Sequence, residues 1–64
     1  MRLTEFWERM DAHLGPAYAR SFARDHVLSE LGGITVEQAL AGDFDTKDVW
    51  RAVVKSLGLP ASAR

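Results

Sequence analysis

The stretch FARDHVLSELGG, residues 22–33, is the part of the sequence on which the predicted fold depends. Its apolar residues precede a double glycine, Gly32-Gly33, which is typical of a helix end because glycine adopts left-handed backbone angles without strain. At the other end, Pro16 suits the first position of a helix. The pattern predicts a second helix over residues 16–31. Apolar side chains on many of its sides indicate that this helix is central.

His26 lies inside the apolar face of this predicted helix. At about 100° per residue, its side chain falls between those of Phe22 and Ala23. An imidazole, which titrates near ~6.5, could act as a metal ligand, a general base or a pH switch. Asp25 would point about 100° away, and no serine or second carboxylate is spaced to complete a triad or an acid pair. We predict that His26 is a half-buried packing residue, with the functional roles as the alternative.

Three further helices are predicted around this segment. A one-sided apolar stripe indicates a first helix that begins at Thr4, its expected N-cap. Thr35 and Gln38 match the capping-box pattern at the start of a short third helix. Asp45 is the expected N-cap of the last helix, which Gly58 ends. The fold class predicted is all-α, a compact bundle of four short helices over about 4–14, 16–31, 35–41 and 46–57, within a single domain of residues 1–59 and a flexible C-terminal tail of residues 60–64.

The apolar stripes also predict the core. Aromatic side chains at helical spacing are far more often core residues than ligand-stacking residues, so both tryptophans are assigned to the core. The predicted cluster consists of Phe6, Trp7, Met10, Phe22, Val27, Leu31, Val49, Trp50 and Val53.

Composition excludes several functions. The chain has 64 residues, no cysteine and two histidines, which rules out disulfides and thiolate–metal sites and leaves few metal ligands. We therefore expect no cofactor and no metal.

The net charge of −1 gives no overall attraction to nucleic acid or to an anionic membrane. No apolar run approaches the ~20 residues that span a bilayer, and the acidic start MRLTEFWERMD lacks the pattern of a secretory signal, so a cytoplasmic location is expected.

Two basic pairs form the candidate interaction surface. Arg20 and Arg24, and likewise Arg51 and Lys55, are spaced i, i+4 and line up on one side of their helices. These pairs are the only nucleic-acid signal in the sequence, and it is a weak one, because many solvated helices carry such pairs as intrahelical partners or as aliphatic cover for the core.

A helix-turn-helix is a second possibility, because LSELGGITVEQAL could place a glycine turn between two helices. A recognition helix should present Arg, Lys, Asn or Gln at its start, and here only Gln38 suits base edges. The carboxylate of Glu37 would repel the phosphates of DNA. The following segment, GDFDTKD, contains three acidic residues and only one lysine. The arrangement is permitted, but the surface chemistry argues against DNA reading.

The segments MRLTEFWERM, LGPAYARSFARDHVLSELGG and VWRAV, taken in order, resemble a family of short actinobacterial proteins that share a domain of unknown function. The resemblance covers nearly the whole chain. The family has no assigned activity, cofactor or catalytic residue, so the resemblance implies none for this chain.

These observations lead to one expectation of function and one alternative. We expect a small helical accessory module that is not an enzyme and that binds another protein or a second copy of itself. The alternative is a weak DNA-binding accessory protein that uses the basic pairs in a helix-turn-helix-like arrangement.

Overall fold

The computed structural model describes residues 1–59, and the predicted tail, residues 60–64, lies outside them. The described chain contains four α-helices and a small antiparallel sheet, so the all-α prediction holds only in part. The helices are α1 (Leu3–Leu14), α2 (Pro16–Asp25), α3 (Val36–Ala41) and α4 (Thr46–Leu57), and the strands are β1 (Val27–Leu28) and β2 (Ile34–Thr35). A 3₁₀ turn, Ser29–Leu31, lies between the strands.

The second helix is shorter than predicted. It ends at Asp25, and His26 has extended backbone angles of φ −88° and ψ 126°. The next residues form β1, in which Val27 pairs with Thr35 and Leu28 pairs with Ile34. The prediction of a helix to residue 31 was therefore wrong. Aspartate, histidine and valine are weak helix formers, and the pairing with β2 replaces the helical hydrogen bonds that would have followed.

The double glycine brings β2 back to β1. Gly32 and Gly33 have positive φ angles of 81° and 85°, which residues with a side chain adopt only with strain. The Gly33 amide donates to the Leu28 carbonyl at 3.0 Å, and the Gly32 amide donates to the Ser29 carbonyl at 3.0 Å. The glycines thus close a tight loop between two strands and do not end a long helix.

The core is one cluster to which all four helices contribute. Trp50 lies in it, 2 % exposed, and its ring meets Phe6 edge-on at 6.1 Å between centroids. Seven of the nine predicted core residues are buried: Phe6, Met10, Phe22, Leu31, Val49, Trp50 and Val53. Trp7 is only partly buried against this cluster. Val27 is 60 % exposed, so its assignment to the core was wrong, whereas its neighbour Leu28 is 3 % exposed.

This exchange follows from backbone geometry. Successive side chains of a strand point to opposite faces, so burying Leu28 turns Val27 to solvent.

The helix ends are mostly as predicted. The capping box is formed, because the Gln38 amide donates to Thr35 Oγ1 at 3.2 Å and the Thr35 amide donates to Gln38 Oε1 at 3.0 Å. Asp45 is the N-cap of α4, although its side chain accepts no capping hydrogen bond. Gly58 is left-handed at φ 66° and ends α4 as predicted. The first helix begins earlier than predicted, with Arg2 and not Thr4 as its N-cap.

Candidate functional site

The outer side of α4 carries three cations in register. Lys47, Arg51 and Lys55 follow one another at intervals of four residues, and all three are exposed. We call these three side chains the α4 basic face. Within residues 1–59, neither lysine has an ion-pair partner, and Arg51 Nη1 lies 3.9 Å from Asp48 Oδ1 in an exposed pair. Two of the three charges are therefore free to meet an anion.

A cleft separates the start of the α4 basic face from α1. This open cleft has a volume of about 460 Å³, which lies in the size range of ligand pockets. We call it the α1–α4 cleft. It is lined by Met1, Glu5, Arg9, Lys47, Trp50 and Arg51. Two helices thus supply three cations and one carboxylate to a single concave surface.

Two further clefts border the other end of the α4 basic face. One has a volume of about 620 Å³ and combines apolar Val54 and Leu59 with Arg51 and Lys55. The smaller one, of about 290 Å³, includes the same two cations and adds the carboxylates of Glu30 and Asp48, and also Ala52. Cationic ends beside apolar surface suit a ligand that is itself amphipathic.

The other predicted pair, Arg20 and Arg24, makes contacts within the molecule. Arg20 Cζ lies 3.9 Å from the centroid of the Trp7 ring, a cation–π contact, and Arg20 Nη2 lies 4.0 Å from Asp11 Oδ2. Arg24 Nε donates to the carboxylate of Asp25 at 3.3 Å. Arg20 therefore covers the half-buried Trp7, and neither arginine lines any of the three clefts.

Sequence reasoning found half of the cationic surface and missed the rest. Arg51 and Lys55 were predicted, and the same four-residue spacing continued towards the N-terminus reaches Lys47. Arg9 gave no such signal, because it lies on another helix and only the packing of α1 against α4 brings it to the cleft.

His26 is exposed, contrary to the half-buried position predicted for it. Its ring nevertheless stacks on Phe22, with 4.6 Å between the centroids and 22° between the planes. Phe22 in turn lies 6.1 Å from the exposed Tyr18. His26 thus packs against one aromatic ring at the end of α2 and is not enclosed by helices.

Among residues 1–59, no three His, Cys, Asp or Glu side chains are grouped so as to hold a metal ion.

The helix-turn-helix considered as an alternative is not formed around the double glycine. The residues before Gly32 are β1 and a 3₁₀ turn, so no helix precedes the turn, and α3 has only six residues. The segment LSELGGITVEQAL therefore lacks the two helices that a DNA-binding helix-turn-helix requires.

These features define the class of the protein as a small, mostly helical domain with a cationic face and adjoining clefts. None of the helices in the described part of the chain has the length and apolar character to cross a bilayer. The chain belongs to the family described as "Protein of unknown function (DUF3046)", whose profile matches residues 1–62, and this confirms the resemblance to a short domain of unknown function. No curated protein matched the chain, and no solved structure matched it.

Proposed function

We propose that the protein is a non-enzymatic interaction module that binds an acidic segment of another protein across the α4 basic face. The observation that carries the proposal is the unbalanced charge of that face. Lys47 and Lys55 have no ion-pair partner among the described residues, and Arg51 has only an exposed one. Charge complementarity of this kind steers association and sets the orientation of a partner.

The dimensions of the face favour a short acidic segment. Lys47 and Lys55 are eight residues apart on one helix, which is about 12 Å at 1.5 Å per residue. Carboxylates spaced over about two turns of a partner helix would reach both ends. Apolar side chains of the same segment would then face Val54 and Leu59 in the adjoining cleft.

The surroundings of the face disfavour a nucleic acid as the partner. Glu30 and Asp48 lie in a cleft with Arg51 and Lys55, and Asp45 is the N-cap of α4. Carboxylates in these places repel a phosphate backbone, whereas a protein segment can place its own cations against them.

The non-enzymatic part of the proposal rests on the serine contacts. Ser21 Oγ donates to Asp25 at 3.4 Å, and Ser29 Oγ donates to Glu30 at 3.4 Å, in exposed pairs. An activated hydroxyl needs a base within hydrogen-bond reach that is itself oriented by a third group. Neither serine contacts a histidine in the described chain, which supports a role in binding and not in catalysis.

The test is affinity capture from the native host with two matched charge reversals. Lys55→Glu changes the α4 basic face by two charge units, and Arg24→Glu changes the α2 surface by the same amount. We expect Arg24→Glu to retain the partner and Lys55→Glu to lose it. The captured protein is then identified by mass spectrometry, and its acidic segment is titrated as a synthetic peptide against both variants.

Three outcomes would contradict the proposal. If both variants retained the partner equally, the interface would not lie on α4. Salt-dependent binding to duplex DNA that Lys55→Glu abolishes would assign the face to nucleic acid. A concentration-dependent dimer in analytical ultracentrifugation that Lys55→Glu dissociates would identify the occupant as a second copy of this chain.

A further inference from the structure

The α1–α4 cleft is lined by charged side chains from two helices, and most of them are cationic. Arg9 comes from α1, and Lys47 and Arg51 come from the first half of α4, while Glu5 is the one acidic lining residue. Three cationic side chains and one carboxylate leave a surplus of two positive side-chain charges in the lining. Arg9 and Lys47 have no ion-pair partner within residues 1–59, and Asp48 contacts Arg51 from a different cleft.

We propose that this cleft binds the dianionic phosphoryl group of a phosphate monoester. A phosphate monoester carries between about −1.5 and −2 charges at neutral pH and has three strong acceptor oxygens, which matches the surplus of the lining. A carboxylate or a backbone phosphodiester carries one charge and would leave the cleft cationic.

The lining residue types also fit a phosphoryl group. A guanidinium can donate two parallel hydrogen bonds to phosphate oxygens, and the cleft offers one guanidinium from each of two helices. Lys47 adds a point charge. Trp50, only 2 % exposed, supplies a fixed apolar part of the wall.

The inference goes beyond the proposed function, because it concerns Arg9 and a cleft that Lys55 does not line. The phosphoryl group could belong to a phosphorylated protein segment or to a free phosphate ester. These two sources share the chemistry that the cleft would recognise. A phosphoserine peptide and inorganic phosphate therefore serve as separate probes.

The experiment is a titration followed by ¹⁵N–¹H correlation NMR at about pH 7.5, where phosphate is largely dianionic, and at constant ionic strength. The probes are inorganic phosphate, a phosphoserine peptide, the same peptide without phosphate, and dimethyl phosphate as the monoanionic diester. We expect saturable shifts of the Trp50 indole and of amides near Arg9 and Lys47 with the first two probes only. Tighter binding of the phosphopeptide would identify a protein-borne group, and equal binding would identify the free anion.

Three single substitutions make the test specific. Arg9→Gln and Lys47→Gln should each weaken binding about tenfold, which is the usual effect of losing one charge-assisted hydrogen-bond donor. Arg24→Gln removes the same charge from α2, where it lines none of the three clefts, and should leave the affinity unchanged. Shifts that do not saturate, equal binding of dimethyl phosphate, or equal loss in all three variants would overturn the inference. Because no protein partner is present, failure here would leave the proposed function standing.

Discussion

At the scale of single residues, Trp50 links the core to the candidate site. Its ring meets Phe6 at 6.1 Å and His13 at 5.8 Å, and it also forms part of the wall of the α1–α4 cleft. The sequence identified it as a core residue from its helical stripe. The cleft beside it could not be foreseen, because two of its six lining residues, Glu5 and Arg9, come from α1.

Trp50→Ala should destabilise the fold by ~3–5 kcal/mol, the usual range for removing a buried aromatic side chain. A domain of this size has a total stability of only a few kcal/mol, so the variant should lose its cooperative thermal transition in circular dichroism. Tyr18→Ala is the control. Because Tyr18 is 48 % exposed, this variant should melt close to the wild-type temperature. A cooperative melt of Trp50→Ala at the wild-type temperature would contradict the assignment of the core.

His26 illustrates how one backbone change alters a residue's role. The helical angle placed it between Phe22 and Ala23, but the helix ends before it, and only the contact with Phe22 remains. Since the ring is exposed, its contribution should be smaller than that of an enclosed histidine.

His26→Gln should lose about 0.5–1.5 kcal/mol, the range for one stacked aromatic pair, and His26→Phe should lose less because it keeps the stack. Chemical denaturation of both variants measures this difference. Zinc should leave the melting temperature of the wild type unchanged, because a stabilising metal must bind the folded state preferentially. A zinc-dependent rise that disappears in His26→Gln would restore the metal-ligand alternative.

At the scale of elements, the sequence predicted α1, α3 and α4 within a residue or so, because caps and apolar stripes are local signals. The segment after Asp25 was misread for a physical reason. Strands of two residues are too short to show period-two alternation, and the pairing of β1 with β2 joins residues six and eight positions apart. Gly32-Gly33 fits a helix end and a tight loop equally well.

A pair of substitutions tests the strand. Leu28→Ala should destabilise the protein by ~2–5 kcal/mol, because Leu28 is buried, whereas Val27→Ala should change stability by less than about 1 kcal/mol, because Val27 is exposed. Urea denaturation of the two variants under identical conditions measures the contrast. The opposite order, with Val27→Ala the more damaging, would mean that Val27 faces the core, as a continued helix would require.

At the scale of the whole molecule, a net charge of −1 conceals an uneven distribution. Arg20 and Arg24 contact α1 and Asp25, while Lys47, Arg51 and Lys55 remain on one face. The prediction of no overall attraction to nucleic acid or to an anionic membrane used only this net charge, which is an average over the molecule. The local surplus in the α1–α4 cleft arises only when α1 packs against α4, which no counting of charges along the chain can reveal.

The two ends of the α4 basic face allow binding to be separated from stability. Lys47 lies in the first turn of α4, where the helix dipole disfavours a cation, and Lys55 lies in the last turn, where the dipole favours one. Lys47→Glu should therefore raise the free energy of unfolding by about 0.3–1 kcal/mol, and Lys55→Glu should lower it by a similar amount. Both variants should bind the acidic partner more weakly than the wild type does. Only Lys47→Glu should abolish phosphate binding. Denaturation curves and peptide titrations of the same two preparations check both properties. The contradicting result would be a Lys47→Glu variant that is more stable than the wild type and binds the partner at least as tightly. In that case the α4 basic face would not be the interface.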